Sequence, residues 1–257
     1  MNSREKLLLQ VDHVDKYYGS QGIVTKALNQ VSFHVQKGEY ISIMGASGSG
    51  KTTLLNCIST IDSASSGHIF LDGMDITDMK EEEMADFRRK NLGFVFQDFN
   101  LLDTLTLEEN IALPLTINEL APDEIEKRIT EIAGKLQISD ALKKFPYQVS
   151  GGQRQRCAFA RAVVCRPKLI IADEPTGSLD SKSAFTLLEV MARMNEGSGA
   201  TILMVTHDAF CASYADRILF LQDGSIFNEI LKGEKSRSSF YHEILDVLSL
   251  LGGDRQC

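Results

Sequence analysis

The chain has 257 residues, of which 43% are hydrophobic and 24% charged, a balance typical of a globular protein with a sizeable core. Its formal net charge of −8 argues against nucleic acid as the main partner, because an acidic surface repels a phosphate backbone. No apolar run approaches the roughly 18 residues that a membrane span needs, and the apolar stretch near the N-terminus is too short for a secretory signal. We therefore expect a soluble protein that reaches a membrane only through a partner.

The cysteines are odd in number and show no C-x-x-C spacing; they are Cys57, Cys157, Cys165, Cys211 and Cys257. This pattern is typical of reduced thiols in a cytosolic protein. We expect most of them to be small core residues, and we do not expect them to form a metal site.

The first 75 residues are predicted mainly as strands. The stretches "LLLQVDHV", "VSFHV" and "YISIMG" are short and rich in Val, Ile and aromatic residues, and "HIFLDGMDI" carries the hairpin dipeptide Asp72-Gly73. A helix is predicted in "GKTTLLNCIST", directly after a strand and a glycine loop. Three acids followed by three bases in "MKEEEMADFRRK" predict a solvated helix with intrahelical ion pairs.

From about Leu107 to Arg166 the pattern is helical. In "APDEIEKRITEIAGKLQI" apolar residues recur at helical spacing, after a proline near the start. The next stretches, "KLIIAD", "SAFTLLEVMARMNEG" and "ATILMVTH", alternate strand and helix, which is typical of a parallel sheet. The last strands, in "ILFLQDGSIFNEI", enclose a second hairpin dipeptide, Asp223-Gly224.

The stretch "GASGSGKT" matches the phosphate-binding pattern G-x-x-x-x-G-K-[ST] and lies between an apolar strand and a helix. Backbone N–H groups of such a loop wrap phosphates, and the following helix points its positive end at the anion. Lys51 is expected to place its charge on the β/γ oxygens, and Thr52 to offer its hydroxyl to Mg²⁺. The candidate nucleotide-binding residues of this stretch are Gly45, Ala46, Ser47, Gly48, Ser49, Gly50, Lys51, Thr52 and Thr53.

Two later strands end in residues suited to phosphate chemistry. In "KLIIADEPT" the apolar strand delivers Asp173 and Glu174 at its carboxyl end, where α/β sheets bind ligands. We expect Asp173 to hold Mg²⁺ through its water shell and Glu174 to orient or deprotonate the attacking water. In "ILMVTHD" the strand leads to His207, whose imidazole can donate a hydrogen bond to the γ-phosphate.

A second glycine-rich loop, "QVSGGQRQR", precedes a helix-like run and also has the composition of an anion-binding loop. Together, "GASGSGKT", "LGFVFQ", "VSGGQRQR", "LIIADEP", "GSLD" and "TH" resemble, in order, the motifs of ATP-binding-cassette (ABC) ATPases. The resemblance covers nearly the whole chain. It implies a homodimer in which the P-loop of one subunit faces the SGGQ loop of the other, with ATP between them. The residues that would contact the γ-phosphate of the partner's ATP are Ser150, Gly151, Gly152 and Gln153.

The chemistry of the SGGQ loop agrees with this arrangement. Ser150 can cap a helix whose dipole points at the phosphate, while a glycine loop without lysine needs a second half to bind phosphate strongly. Two-fold symmetry then gives two composite sites in each dimer.

The resemblance implies roles for three further residues. Gln97 would reach Mg²⁺ or the attacking water and report the γ-phosphate to a helical sub-domain. Asp180 would cross the dimer interface. Tyr18, in preference to Tyr17, would stack on adenine, and stacking of this kind discriminates poorly between bases.

We predict an α/β fold: a P-loop NTPase core of mixed or parallel sheet with flanking helices, an N-terminal antiparallel β sub-domain and an inserted helical sub-domain. Residues 1–257 would form one ABC ATPase domain. The catalytic core with its β sub-domain would span about 1–97 and 166–230, the helical sub-domain about 98–165 and a helical tail about 231–257. Within the tail, an amphipathic helix packed on the protein's own core is expected from apolar residues at spacings of about four: Phe240, Ile244, Leu248 and Leu251.

Longer stretches resemble one branch of the family. "SIMGASGSGKTTLLN", "FVFQDFNLLDTLTLEENI" and "DEPTGSLDSKSA" are similar to lipoprotein-release and macrolide-efflux ATPases. "FNLLDTLT" and "SSFYHEILDVLSLLGG" are similar to the ATPase subunit of bacitracin-type transporters, which act in antimicrobial-peptide resistance, often together with a sensor kinase. The resemblance implies a permease partner at the cytoplasmic face of the membrane. The stretch "DFNLLDTLTL" directly follows Gln97 and mixes apolar and polar residues, so we expect a permease helix to dock there; alternatively, its apolar residues Phe99, Leu101, Leu102 and Leu105 fill the sub-domain core.

Several alternative functions are weighed against this hypothesis. A lipoprotein-release or macrolide-efflux ATPase is the nearest one. A soluble ABC ATPase acting on nucleic acid is disfavoured, because repair versions need long coiled-coil insertions and translation versions carry two cassettes. A nonhydrolysing regulatory subunit is disfavoured because Glu174 and His207 are both present.

Overall fold

The computed structural model describes residues 7–19 and 24–253, with side chains up to residue 250. These residues divide into two compact units, the first made of residues 7–19, 24–78 and 203–253 and the second of residues 79–202. The strands are β1 (Leu7–Tyr18), β2 (Thr25–Gln36), β3 (Tyr40–Met44), β4 (Ser66–Leu71), β5 (Met74–Asp75), β6 (Leu92–Val95), β7 (Leu169–Asp173), β8 (Ile202–Val205), β9 (Arg217–Gln222) and β10 (Ser225–Leu231). The α-helices are α1 (Lys51–Ile58), α2 (Glu81–Asn91), α3 (Leu107–Ile117), α4 (Pro122–Lys135), α5 (Gly151–Val163), α6 (Ser181–Ser198), α7 (Ala209–Ala212) and α8 (Arg237–Gly253).

The first unit contains an antiparallel sheet in the order β2-β1-β4-β5. The turn between β4 and β5 is the predicted Asp72-Gly73 hairpin. The φ angles are 51° at Asp72 and 81° at Gly73. A two-residue hairpin of type I′ needs positive φ at both central positions, and the Asp-Gly pair tolerates this conformation.

The strand that precedes the P-loop is the buried centre of the first unit. All five residues of β3 are buried. This strand pairs in parallel with β9, from Ile41 opposite Arg217 to Met44 opposite Phe220. On the side of β8, the Thr206 amide donates to the Ile43 carbonyl at 3.2 Å. Apolar strands in a parallel arrangement therefore hold the start of the P-loop, and β10 turns back antiparallel to β9.

The second unit contains two parallel strands and most of the helical residues. Strands β6 and β7 pair in register from Leu92 opposite Leu169 to Val95 opposite Ala172. Helix α4 has Pro122 in its first turn, as the sequence predicted. The helical sub-domain expected at about 98–165 lies within this unit, and its boundaries stay a prediction.

The sequence predicts intrahelical ion pairs in α2 and reduced cysteines that lie mostly in the core. Helix α2 carries intrahelical ion pairs, although their acid is Asp86, which pairs with Arg89 at 2.7 Å and Lys90 at 2.9 Å. Free, buried thiols are found at three of the predicted core cysteines, Cys57, Cys157 and Cys211. Cys165 is free and half-buried, and Cys257 lies outside the described residues.

The C-terminal helix packs on the core of the first unit, as expected for an amphipathic tail. Phe240 and Ile244 of α8 are fully buried against residues of β3 and β9, and Leu248 packs on the same cluster. The Leu251 side chain lies outside the described part of the chain. No helix among residues 7–19 and 24–253 has the length and apolar character required to cross a membrane.

Candidate active site

The P-loop of the first unit has glycines where its backbone geometry excludes other residues. Its φ angles are 79° at Gly48 and 104° at Gly50, both in the left-handed region. A Cβ atom on Gly45 would lie 2.3 Å from the Leu221 carbonyl oxygen, and one on Gly50 would lie 2.6 Å from the Ala27 carbonyl oxygen. The first and second glycines of the sequence pattern are therefore required sterically, as well as for phosphate access.

Lys51 folds back over the loop that precedes it. Its ammonium donates to the carbonyl oxygens of Gly45 at 2.8 Å and Ala46 at 2.9 Å. These bonds hold the positive charge against the loop at the N-terminal end of α1, where the helix dipole is also positive. The local electrostatics therefore favour an anion.

The same loop borders a cavity of about 280 Å³ that also receives His207. The other lining residues include Gly45, Ala46, Ser47, Gly48 and Ser49. The hydroxyl oxygen of Ser49 is buried and has no hydrogen-bond partner within the described part of the chain. A glycine-lined cavity beside an ammonium at the N-terminal end of a helix fits a phosphate group.

The structure distinguishes the two candidate tyrosines at the end of β1. The Tyr18 hydroxyl donates to Asp62 Oδ2 at 2.7 Å, and its ring lies 4.9 Å from the Lys16 ammonium. Burial and the bond to Asp62 raise the pKa of Tyr18, and a hydrogen bond with Thr53 opposes this shift. The Tyr17 ring, on the other face of the strand, lies 5.3 Å from Lys26 Nζ. Tyr18 is therefore the tyrosine that lies beside the P-loop helix.

In the second unit, Asp173 is the last residue of β7 and Glu174 follows it in a strained conformation. The φ angle of Glu174 is 46°, in a region where a residue other than glycine loses about 1–2 kcal/mol. Its carbonyl accepts a hydrogen bond from the Gly177 amide at 3.0 Å. Strained residues of this kind concentrate at functional sites, which agrees with the catalytic role predicted for Glu174.

Gln97 lies in the exposed segment after β6, against the segment that follows Glu174. A Cβ atom on Gly177 would lie 2.9 Å from the side-chain amide carbon of Gln97. Because β6 and β7 are parallel neighbours, the segments after them emerge side by side. Gly177 was not predicted as a site residue; its place three positions after Glu174, before "SLD", was the available signal.

The SGGQ loop forms the N-terminus of α5, and Ser150 caps this helix as predicted. Its hydroxyl accepts from the Gln153 amide at 3.3 Å, while the Ser150 amide donates to Gln153 Oε1 at 3.2 Å. The two glycines differ in their surroundings. A Cβ atom on Gly151 would find its nearest neighbour at 3.8 Å, whereas one on Gly152 would lie 2.5 Å from Ser183 Oγ. Packing within the subunit therefore requires a glycine at position 152 and leaves position 151 open.

Asp180 has a role within its own unit that the sequence analysis did not anticipate. It is the N-cap of α6: Oδ1 accepts from the amides of Lys182 and Ser183, and Oδ2 accepts from Ser183 Oγ at 2.6 Å. The bonds from Ser183 lower the pKa of Asp180. Ser183 also packs on Gly152, so this serine connects the SGGQ loop with Asp180.

The candidate site residues are therefore distributed between the two units. The P-loop, Tyr18 and His207 belong to the first unit, and the cavity brings the loop and His207 together. Gln97, Asp173, Glu174, Asp180 and the SGGQ loop belong to the second unit.

Comparisons with known proteins identify one family. The sequence profile described as "ABC transporter" matches residues 28–177. The ABC transporter ATP-binding protein YxdL of Bacillus subtilis is 53% identical over 247 residues, which covers 96% of this chain and 95% of that protein. The bacitracin export ATP-binding protein BceA of Halalkalibacterium halodurans is 47% identical over 246 residues, covering 96% of this chain and 97% of that protein.

A solved structure shares the fold. The ATP-binding cassette MJ0796 of Methanocaldococcus jannaschii, in a dimeric post-hydrolysis state bound to ADP and Pi, superposes with a TM-score of 0.80. It is 37% identical in sequence, and the match covers 87% of this chain and 98% of that chain. The predicted α/β P-loop NTPase fold is confirmed.

Proposed function

The chain belongs to the ABC transporter family as an ATP-binding and ATP-hydrolysing subunit, and we propose that it works as a homodimer that drives a separate membrane permease in resistance to bacitracin-like peptides. The homodimer is inferred from the open surroundings of Gly151. A Cβ atom at this position, at the capped N-terminus of α5, would meet only ordinary contacts among residues 7–19 and 24–250, so their packing does not demand a glycine there. A helix N-terminus that lacks a lysine and presents an open glycine is suited to a phosphate held by another subunit.

The proposed roles in the first unit concern binding. Lys51 and the amides of residues 45–53 bind the phosphates of ATP, and His207 donates a hydrogen bond to the γ-phosphate. The cavity lined by residues 45–49 and His207, together with the two carbonyl contacts of Lys51, supports this assignment. Tyr18 stacks on adenine.

The proposed roles in the second unit concern hydrolysis and the dimer. Glu174 orients or deprotonates the attacking water, and its strained backbone supports this role. Ser150, Gly151, Gly152 and Gln153 contact the γ-phosphate of the partner's ATP, and Asp180 crosses the dimer interface from its position at the start of α6.

Magnesium is the proposed cofactor. The residues that would hold it, Thr52, Gln97 and Asp173, offer a hydroxyl, an amide oxygen and a carboxylate, which are the hard oxygen donors that Mg²⁺ prefers. When bound, the ion neutralises charge on the phosphates. A single carboxylate suits Mg²⁺, since this ion keeps several of its waters.

Replacing Tyr18 by alanine is expected to weaken ATP binding about 5- to 150-fold, whereas the same change at Tyr17 leaves it near the parent value. This range corresponds to a loss of about 1–3 kcal/mol of binding free energy when the ring no longer stacks on the base. Titration with a fluorescent ATP analogue measures both variants, and Tyr17→Ala is the matched control because both rings are similarly exposed. Equal losses for the two variants, or a larger loss at Tyr17, would contradict the assignment.

The proposed docking segment for the permease is residues 98–107. Its apolar side chains at Phe99, Leu101 and Leu105 are half-buried, and Leu102 is 47% exposed. The fifth apolar residue of the segment, Leu107, is fully buried, whereas these four keep exposed apolar surface, which favours docking through residues 99–105. The permease would place the protein at the cytoplasmic face of the membrane, and the link to a sensor kinase stays a prediction from the resemblance.

Expression of the chain with its cognate permease in a bacitracin-sensitive bacterium tests the biological role. We expect the minimal inhibitory concentration of bacitracin to rise several-fold, and the Lys51→Ala variant to give no protection. Protection against a macrolide and none against bacitracin would favour the macrolide-efflux alternative. No protection against either compound, with the complex assembled in the membrane, would overturn the proposed role in resistance.

A further inference from the structure

A side chain of α5 is buried between the segments that carry Gln97 and Glu174. Gln155 is fully buried, and its Nε2 atom donates to the carbonyl oxygen of Phe96 at 2.9 Å and to that of Pro175 at 2.6 Å. Phe96 directly precedes Gln97, and Pro175 directly follows Glu174. Two hydrogen bonds from one nitrogen therefore join the backbones of the two segments.

A carboxamide suits this junction. Both partners are carbonyl oxygens, and the two N–H groups of Nε2 can donate to both without bringing a charge into a buried site. The other end of the side chain, Oε1, is buried without a hydrogen-bond partner in residues 7–19 and 24–253. The bonds made by Nε2 are thus the polar contacts that hold this side chain.

The junction fixes the positions of the two segments relative to each other. They emerge from neighbouring parallel strands, at Val95 opposite Ala172. The bond to Pro175 lies one residue after Glu174, whose backbone is in the left-handed region. The bond to Phe96 lies one residue before Gln97, whose side chain rests on Gly177.

Two arginines of α5 attach the same helix to the rest of the Gln97 segment. Arg161 donates from Nη1 to the Asn100 carbonyl at 2.6 Å and from Nη2 to the Phe99 carbonyl at 3.1 Å. The Arg154 guanidinium lies 4.9 Å from the centroid of the Phe99 ring. A displacement of α5 therefore displaces residues 96–100 with it.

The N-terminus of this helix is the SGGQ loop. Gln155 lies five residues after Ser150, which is about 7.5 Å along a helix. We propose that Gln155 is a positioning residue that couples the two ATP sites of the dimer. The partner's ATP, bound at the start of α5, moves the helix, and Gln155 passes this movement to the subunit's own Gln97 and Glu174. The inference rests on the proposed homodimer.

The test replaces Gln155 by leucine, which has a similar volume and no donors. We expect kcat for ATP to fall about 10- to 100-fold, the effect of a small misplacement of catalytic groups, while KM changes less than twofold. The Hill coefficient of the ATPase is expected to fall from its parent value to about 1, because the sites no longer communicate. Gln155→Glu is the second variant: its carboxylate faces two carbonyl oxygens, and it should lower kcat at least as much.

The matched control is Asn110→Leu, since Asn110 is also a fully buried amide of the second unit; it binds the backbone carbonyls of Leu102 and Thr106, which lie in the proposed docking segment and outside the candidate active site. If the role of Gln155 is coupling, N110L keeps the parent Hill coefficient even where its melting temperature falls as much as that of Q155L. An unchanged Hill coefficient in Q155L, or an equal loss of cooperativity in N110L, overturns the proposal. If the leucine variant does not fold, Gln155→Glu takes its place, and the coupling model predicts the same fall of its Hill coefficient to about 1.

A separate measurement tests whether the protein forms the proposed homodimer at all. If it does not, the Glu174→Gln protein, with Gln155 intact, does not dimerise when ATP is added. If Glu174→Gln forms the dimer but Q155L keeps the parent kcat and Hill coefficient, the coupling proposal is wrong and the homodimer stands.

Discussion

Replacing Glu174 by glutamine is expected to abolish ATP turnover, retain ATP binding and trap the protein as a dimer. Glutamine has the same shape as glutamate and cannot accept a proton from water. Loss of a general base lowers the rate about 100- to 10,000-fold. Because the P-loop belongs to the other unit, the residues proposed to bind ATP are unchanged. The bound nucleotide then persists and keeps the two subunits together.

Steady-state ATPase activity and size-exclusion chromatography with ATP and Mg²⁺ measure the two parts of this prediction. Glu196→Gln is the matched control, because Glu196 is an exposed carboxylate on α6 of the same unit. It should hydrolyse ATP like the parent and return to the monomer after turnover. A Glu174→Gln protein with the parent rate would show that another residue activates the water. A protein that binds ATP as a monomer would contradict the homodimer.

Local chemistry made much of the fold predictable. The dipeptides Asp72-Gly73 and Asp223-Gly224 tolerate positive φ at both positions, and each forms a hairpin where the sequence indicated one. Ser150 was predicted to cap a helix because its hydroxyl can accept from an amide three residues later, and this contact is present. Each of these features depends on residues close together in the chain.

Contacts between distant segments could not be read from the sequence. The junction of Gln155 with Phe96 and Pro175 spans 59 residues on one side and 20 on the other, and no local pattern encodes it. The contact between Gly152 and Ser183 likewise depends on how α5 and α6 pack. The predicted site residues were therefore those of contiguous motifs, and the residues that position them became visible only in the fold.

Replacing Gly151 by aspartate is expected to remove ATP hydrolysis while the subunit still folds and binds ATP. An added Cβ atom meets only ordinary contacts, at 3.8 Å or more, and a carboxylate in the first turn of α5 is favourable to the helix dipole. The same carboxylate repels the γ-phosphate of the partner's ATP. We expect the ATPase activity to be at least about 100-fold lower, which is the effect of losing one group that stabilises charge in the transition state. The affinity for the nucleotide should stay near the parent value.

Gly152→Ala separates this dimer effect from a defect in folding, because the two adjacent glycines have opposite surroundings. The added Cβ would lie 2.5 Å from Ser183 Oγ and 2.8 Å from its Cβ, and overpacking of this kind costs about 1–3 kcal/mol. Thermal denaturation should therefore show a lower melting temperature for Gly152→Ala, partly restored by Ser183→Gly, and no loss for Gly151→Asp. In the Glu174→Gln background, Gly151→Asp should prevent the ATP-dependent dimer. If Gly151→Asp instead lost ATP affinity as a monomer, the SGGQ loop would serve its own subunit's nucleotide.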